Sequence, residues 1–372
     1  MNPRHHNDCL NWIRILGSDI FQLKSVKIVL KVMFCIYSIL CVLQIYFFAS
    51  SPSMAKVFSC GANFFYICYI AFVSIILLLK NHMVDDVAAV VNWWQLDSVG
   101  DETKNKFIKL STWMNRFAVL NISILLVFAT IIFFSSDEVN GLAFVHHILD
   151  QIFSHWSKFV FVFFKITLFL PSFMMSAHMY QLFYSAQHII FQMKLLKMFI
   201  RRMARTSSST QEDLMYDDSY QEEINAKLKI IIDKHCNFIR WQQMTLMTMS
   251  NLIMPYLTSA ITMALSIAFR FLQDVLWWPN YVISITLLAN IYSIIFVAQT
   301  LEDESEKIFL ELTTLQWYNW NFKNKKIFLT ILTAATRPIN IKFSDKFVVN
   351  NRLLLFMFQT LYSILSMFLN MK

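Results

Sequence analysis

Apolar residues run along this chain in long uncharged stretches, each closed by Lys, Arg, Asp or Glu. The stretches are Val32 to Ala55, Val57 to Leu79, Phe117 to Ser136, Ile166 to Met193, Trp241 to Phe269, Val275 to Leu301 and Leu353 to Met371. A helix that crosses a bilayer needs about 20 such residues. Hydrocarbon offers no water to a stray charge or an open backbone group, so only closed structures survive there. Seven stretches reach that length, and the pattern predicts an all-α polytopic membrane protein with seven transmembrane helices. The fourth span is expected to start near Phe159, with Lys165 snorkelling its ammonium toward an interface.

Between the spans the pattern changes character. Asp8 to Leu23 has helix-like spacing, and so has Met83 to Leu96 with Trp93 and Trp94, which reads as the second and third helices continuing beyond the membrane. Arg201 to Glu223 is rich in Ser, Thr, Asp and Glu with no apolar period, so it reads as a flexible loop. The acidic run Glu302, Asp303, Glu304 and Glu306 extends the sixth helix as a solvated face; Trp317, Tyr318 and Trp320 follow. A ten-residue apolar helix, Ile327 to Thr336, is too short to span.

Composition agrees with this reading. Hydrophobic residues make up 57% of the chain and charged ones 15%, against about a quarter charged in soluble domains. Four glycines and six prolines in 372 residues favour long helices over turn-rich β-structure. The six cysteines, Cys9, Cys35, Cys41, Cys60, Cys68 and Cys236, form no disulfide framework and no zinc spacing. No removable signal peptide is read at the start, so the first span is expected to act as the signal.

Charge adds a direction. Of the 32 Lys and Arg residues, 27 lie in the tail through Lys31 and in the connections Lys80 to Arg116, Lys194 to Arg240 and Glu302 to Arg352; the other five are Lys56, Lys158, Lys165, Arg270 and Lys372. Short loops that keep their basic residues are cytoplasmic. The N-terminus is therefore expected in the cytoplasm and the C-terminus outside the cell. The formal charge of +8 is spread by loop rather than gathered on one soluble face, which argues against nucleic acid as a partner. A cytoplasmic N-terminus, and the lack of Asp/Glu-Arg-Tyr and Asn-Pro-x-x-Tyr signatures, set G-protein-coupled receptors aside.

Candidate chemistry is sparse. No nucleophile and base pair, phosphate loop or metal motif stands at diagnostic spacing, so the sequence predicts no enzyme and no cofactor. His146, His147 and His155 form the densest histidine group, and structural or interfacial roles suit them better than a metal site. Asn121-Ile122-Ser123 matches a glycosylation sequon but lies within the third span. Ser207 to Ser209 follow Arg201, Arg202 and Arg205, a pattern open to phosphorylation, although a plain solvated loop accounts for it better.

The C-terminal third resembles the insect odorant receptors, a family of seven-helix olfactory cation channels. The likeness rests on His235 with Phe238 before the fifth span, Trp317-Tyr318 after the sixth, Lys325-Lys326 leading an apolar helix, Arg337-Pro338 closing it, and Tyr362-Ser363 in the last span. The first 230 residues match in helix layout rather than in motif. The loop Lys194 to Arg240 lacks the insertion of the family's shared co-receptor, so the resemblance implies an odour-binding subunit. Related gustatory receptors carry an adjacent Thr-Tyr with Gln-Phe five residues on. Here Thr360 and Tyr362 are separated and Phe368 takes the approximate place of the glutamine.

The resemblance implies a volatile odorant held in the outer half of the bundle, among Phe64, Phe65, Tyr69, Thr130, Phe133, Phe164, Thr167, Pro171, Tyr256, Ser259 and Thr262. Aromatic rings there would stack on a ligand ring, and Tyr, Ser or Thr hydroxyls would orient it. The last span resembles the family's pore helix: Leu365, three residues beyond Tyr362, falls at its gate, with Ser366 and Asn370 facing the lumen. A ring of leucines closes a pore by expelling water. Partners implied are co-receptor subunits, membrane lipid and permeating cations. Three parts are expected: a bundle over 1–301, a cytoplasmic anchor segment over 302–352, and a pore-lining span over 353–372. A gustatory receptor of the same superfamily is the alternative. A transporter is disfavoured by the scarcity of glycine and of charge within the spans.

Overall fold

The computed structural model describes residues 8–50, 54–79, 94, 100–134, 156–206, 215–272, 279–344 and 347–370. Near the N-terminus α1 (Asn11–Arg14), a π-helical turn (Ile15–Asp19) and α2 (Ile20–Gln22) form one short helical segment, as the spacing from Asp8 predicts. The spans are α3 (Lys24–Ser50), α4 (Met54–Leu79), α5 (Asp101–Phe134), α6 with α7 (Ser157–Thr167 and Phe169–Thr206), α8 (Asp218–Leu272) and α9 (Pro279–Thr313). A 3-10 turn (Trp317–Asn319), α10 (Phe322–Ala335), a hairpin of β1 (Lys342–Ser344) and β2 (Phe347–Val348), and α11 (Asn351–Asn370) complete the chain. Each predicted span is helical through its described residues, apart from the break at Leu168. The first ends at Ser50, so Ala55 belongs to the second helix instead. Among the described residues, Lys24–Ala49 and Asp101–Ile131 are long and apolar enough to cross a membrane, and Ile67–Leu79 is a shorter apolar helix.

The helix starts follow from capping. The Asp217 side chain accepts from the Ser219 and Tyr220 backbone N–H groups at the head of α8, and Asn350 does the same for Arg352 and Leu353 at α11. Asn321 caps α10 by accepting from the Asn324 N–H at 2.9 Å. That cap starts α10 five residues before the predicted Ile327, and Arg337-Pro338 follows its end, as the restriction on residues before proline requires. Asp101 and Glu102 in the first turn of α5 complement the helix dipole.

Two further expectations need correction. The two ends of Arg201 to Glu223 are helical rather than loop: α7 continues to Thr206, with Arg201 paired to Glu311, and α8 is capped at Asp217; 207–214, with Ser207 to Ser209, lie outside the described residues. Lys165 does not snorkel. It is buried, with its ammonium 4.9 Å from the Phe161 ring centroid. The fourth span breaks at Leu168, where the Thr167 hydroxyl turns back to the Phe164 carbonyl at 2.6 Å. Pro171, four residues on, has no N–H for the Thr167 carbonyl.

In the bundle α3 packs along α4, α4 along α8, α7 along α9 and α5 along α7. At 55 residues α8 runs for about 80 Å, far beyond a hydrocarbon core of ~30 Å. Its first half, with the tail of α9 and with α10, builds a helical layer at the charged end of the bundle. The large core cluster reaches from mid-bundle into this layer, through Tyr180, Ile190, Trp241, Leu301, Trp320 and Phe328. A second cluster, including Tyr37, Ile67, Tyr69, Phe161, Phe164 and Met174, fills the space between α3, α4, α6 and the start of α7. The α1–α2 segment lies on α7: Gln181 Nε2 donates to the Gly17 carbonyl at 2.8 Å. A Cβ on Gly17 would stand 3.0 Å from both the Gln181 nitrogen and the Tyr180 Cβ, so a larger residue here would push α7 back by a few tenths of an ångström.

Candidate functional site

The predicted ligand-contacting residues fall into separate neighbourhoods. Phe164 is buried in the second core cluster with Tyr69, and the Tyr37 ring stands 6.3 Å from it. The Tyr37 hydroxyl lies 3.5 Å from the Thr167 Oγ1. Half-buried Phe64 meets Phe48 edge-on at 5.9 Å. Phe133, on α5, lies 6.2 Å from Phe169 on α7 and 5.1 Å from Phe134. Thr130 is exposed, and its hydroxyl donates to the Leu126 carbonyl of its own helix. The side chains of Phe65, Pro171, Tyr256, Ser259 and Thr262 lie outside the described residues, although their backbone is helical. Tyr37, in the first span, was missed by sequence reasoning because only spans two to six were considered.

A polar junction lies deeper in the bundle. Asn121 Nδ2 on α5 is bonded to the Tyr180 hydroxyl at 2.8 Å on α7 and donates to the Asn290 Oδ1 at 2.9 Å on α9. Tyr180 in turn donates to the Ala118 carbonyl. All three side chains are buried, so a single cluster ties three spans where water is scarce. Beside it on α7, His178 contacts Gln181 at 3.4 Å, and Gln181 reaches the Gly17 carbonyl. The signal was present in the sequence: Asn, His, Tyr and Gln within uncharged spans face protein rather than lipid.

At the charged end buried ions replace amides. Arg14 and Asp8, whose side chains are each 5% exposed, pair at 3.3 Å, and Asp8 also accepts from the Tyr184 hydroxyl at 2.7 Å and stands 3.4 Å from His188. Burial opposes ionisation of Asp8. Bonds from His188, Tyr184 and the Leu10 N–H overcome it and hold the carboxyl well below the usual carboxylate range. Glu304 is buried as well, rather than solvated as the acidic run suggested. Lys197 on α7 and Lys307 on α9 clasp its two oxygens at 2.7 and 2.9 Å and depress its pKa against the opposing effect of burial. Nearby, burial lowers the pKa of Lys194. Amides lock the surrounding layer: Gln221 accepts from the Asn321 N–H, and the Asn324 amide donates to the Gln221 carbonyl. Gln242 donates to Asn340 at 2.9 Å. Among the described residues, no group of His, Cys, Asp and Glu could hold a metal ion. His146, His147 and His155 lie outside them.

The last helix is different again. Along α11, Met357 is the one buried side chain among those described, while Leu355, Phe356, Phe358, Tyr362 and Met367 are exposed. Ser366 is half-buried; the side chains of Leu365 and Asn370 lie outside the described residues.

These elements define a multi-pass helical membrane protein whose final helix packs on α8 and α9 yet leaves much of its apolar surface exposed. Two solved structures share the architecture. The insect olfactory receptor OR5 from Machilis hrabei in complex with eugenol is similar over 98% of this chain and 97% of its own, with a TM-score of 0.71 and 14% identity. The structure of OR5 from Machilis hrabei described without a ligand gives a TM-score of 0.70 at 13% identity, with the same coverage. No family model matches the chain, and no curated protein sequence matches it. The chain has the insect olfactory receptor fold.

Proposed function

We propose that this chain is the odorant-binding subunit of a ligand-gated, non-selective cation channel in the plasma membrane, assembled as a tetramer with olfactory co-receptor subunits. The observation that carries the reading is the fold similarity, over nearly the whole of both chains, to a receptor solved with eugenol. Eugenol is a small aromatic phenol, and the rings and hydroxyls of Phe64, Tyr69, Phe133, Phe164 and Thr167 suit ligands of that kind. Phe65, Thr130, Pro171, Tyr256, Ser259 and Thr262 complete the proposed lining. Burying about 200 Å² of such a ligand gains roughly 5 kcal/mol gross, which sets a micromolar scale. The charged end is cytoplasmic, since 27 of the 32 Lys and Arg residues lie in the connections assigned to it.

The three parts divide the work: 1–301 binds the odorant, 302–352 anchors, and 353–372 lines the pore. The exposed apolar surface of α11 supports a helix completed by its counterparts in other subunits. Leu365 forms the dewetted gate, and Ser366 and Asn370 line the path for cations. Whole-cell recording across an odorant panel, with and without the co-receptor, tests the reading. Currents that need both subunits and an odorant are expected; a chain that reaches the surface with co-receptor yet answers no odorant argues against it. Replacing Leu365 by a polar residue should raise resting current, and an unchanged basal conductance would remove Leu365 from the gate.

A further inference from the structure

Cys41 and Cys68 lie 27 positions apart in two different apolar stretches, with no motif around either. The fold brings them together: their sulfurs stand 3.5 Å apart across the seam between α3 and α4. Both are free thiols and both are half-buried. The register of this helix pair is fixed at a second level, where Phe48 and Phe64 meet edge-on. Buried Leu40, Ile67 and Ile70 flank the thiols and hold the two backbones in place.

We infer that this pair is a redox modification site: a small neutral peroxide converts Cys41 and Cys68 into a disulfide that staples the first two spans. A disulfide places its sulfurs about 2.05 Å apart, so the pair must close by about 1.5 Å. The chemistry has two steps. One sulfur, as thiolate, attacks a peroxide oxygen; the S–O bond forms, the O–O bond breaks, and hydroxide leaves to take up the thiol proton as water. The second sulfur then attacks the sulfenic sulfur; the S–S bond forms, the S–O bond breaks, and a second water departs. Two thiols and one hydrogen peroxide give one disulfide and two waters, the sulfurs losing two electrons and the peroxide gaining them. Access selects the reagent: uncharged peroxide dissolves into the span region, whereas charged glutathione does not. The oxidised state therefore persists until a permeant dithiol removes it. The inference does not depend on whether the chain binds odorants.

Tryptic cleavage at Lys31, Lys56 and Lys80 leaves Cys35 with Cys41 on one peptide and Cys60 with Cys68 on the next. The full chain carrying C35S and C60S, in isolated membranes, is treated with hydrogen peroxide, blocked with N-ethylmaleimide and digested without reduction. The expected product is the two peptides joined, lighter by two hydrogens than their sum and separated by dithiothreitol. Adding C41S or C68S should abolish it. A second measurement avoids oxidation: phenylarsine oxide, which binds two neighbouring thiols with loss of water, should protect both cysteines from N-ethylmaleimide at once, and neither when one is replaced. Recovery of both peptides alkylated after peroxide, or with one sulfur taken on to sulfinic acid, overturns the proposal. So does a joined product that links two chains.

Discussion

At the charged end of the bundle, buried groups are matched partner by partner: Asp8 with Arg14, His188 and Tyr184, Glu304 with Lys197 and Lys307, Gln221 with Asn321 and Asn324. Elsewhere in the bundle Tyr37, Phe64, Phe133, Phe164 and Thr167 sit in separate neighbourhoods, held by ring contacts of 5.1 to 6.3 Å and by hydroxyl contacts from Thr167 to Phe164 and Tyr37. Directional bonds to buried ions have one good geometry and penalise every other. Apolar ring contacts tolerate sliding and exchange of partners. The charged end is therefore the more rigidly specified of the two regions.

The sharpest way to break this contrast is Arg14→Met, which removes the arginine paired with the buried Asp8 carboxylate. Removing one member of a buried pair costs about 3–5 kcal/mol. Extraction in mild detergent should then yield little monodisperse protein, and Asp8→Asn added to Arg14→Met should recover part of it. A normal yield from the single variant would show that the N-terminal segment does not brace the bundle. Asp8 also fixes the pH behaviour. Its folded pKa lies below the ordinary 3.8, so its stabilisation is complete above that value and is lost only as pH falls through the lower folded one. Hydrogen-exchange protection of residues 8–22 should therefore persist from pH 7 to pH 5.

Asn121→Leu comes next. It strands the Asn290 carbonyl oxygen and removes one partner of Tyr180, a loss of about 1–3 kcal/mol that a lowered thermal unfolding midpoint should report. A midpoint at the wild-type value would mean that the three-span junction contributes no net stability. Phe64→Ala and Phe133→Ala are expected to act on ligands instead. A tenfold shift in half-maximal odorant concentration needs only about 1.4 kcal/mol, which one lost aromatic contact can supply. Current evoked by a co-receptor agonist should stay intact, and equal loss of both responses would mean that these rings maintain the fold. The smallest effect should come from Tyr37→Phe: a 3.5 Å hydroxyl contact sits at the limit of hydrogen bonding, so stability should move by under about 1 kcal/mol.

Much of this architecture was legible along the chain. Uncharged stretches longer than a bilayer is thick, closed by charges, located all seven spans, because burying a charge in hydrocarbon costs more than any local preference can return. Capping chemistry marked starts that the periodicity placed too late, as Asn321 does for α10, or hid within an apparent loop, as Asp217 does for α8. Two readings failed for a common reason. Lys165 and Glu304 were treated as reaching water because charged residues usually do, but each is buried against a partner, Phe161 in one case and Lys197 with Lys307 in the other.

The sequence by itself determined the class of protein, the number of spans and the uneven distribution of charge, since these depend on hydropathy and length summed over some twenty residues at a time. Only the tertiary structure decided which side chains meet. Asp8 reaches Tyr184, Asn121 reaches Asn290, and Cys41 reaches Cys68, across separations that no periodicity encodes. Such pairings depend on which helix faces which neighbour and in what register. Both are set by packing many apolar surfaces at once rather than by any local run of residues.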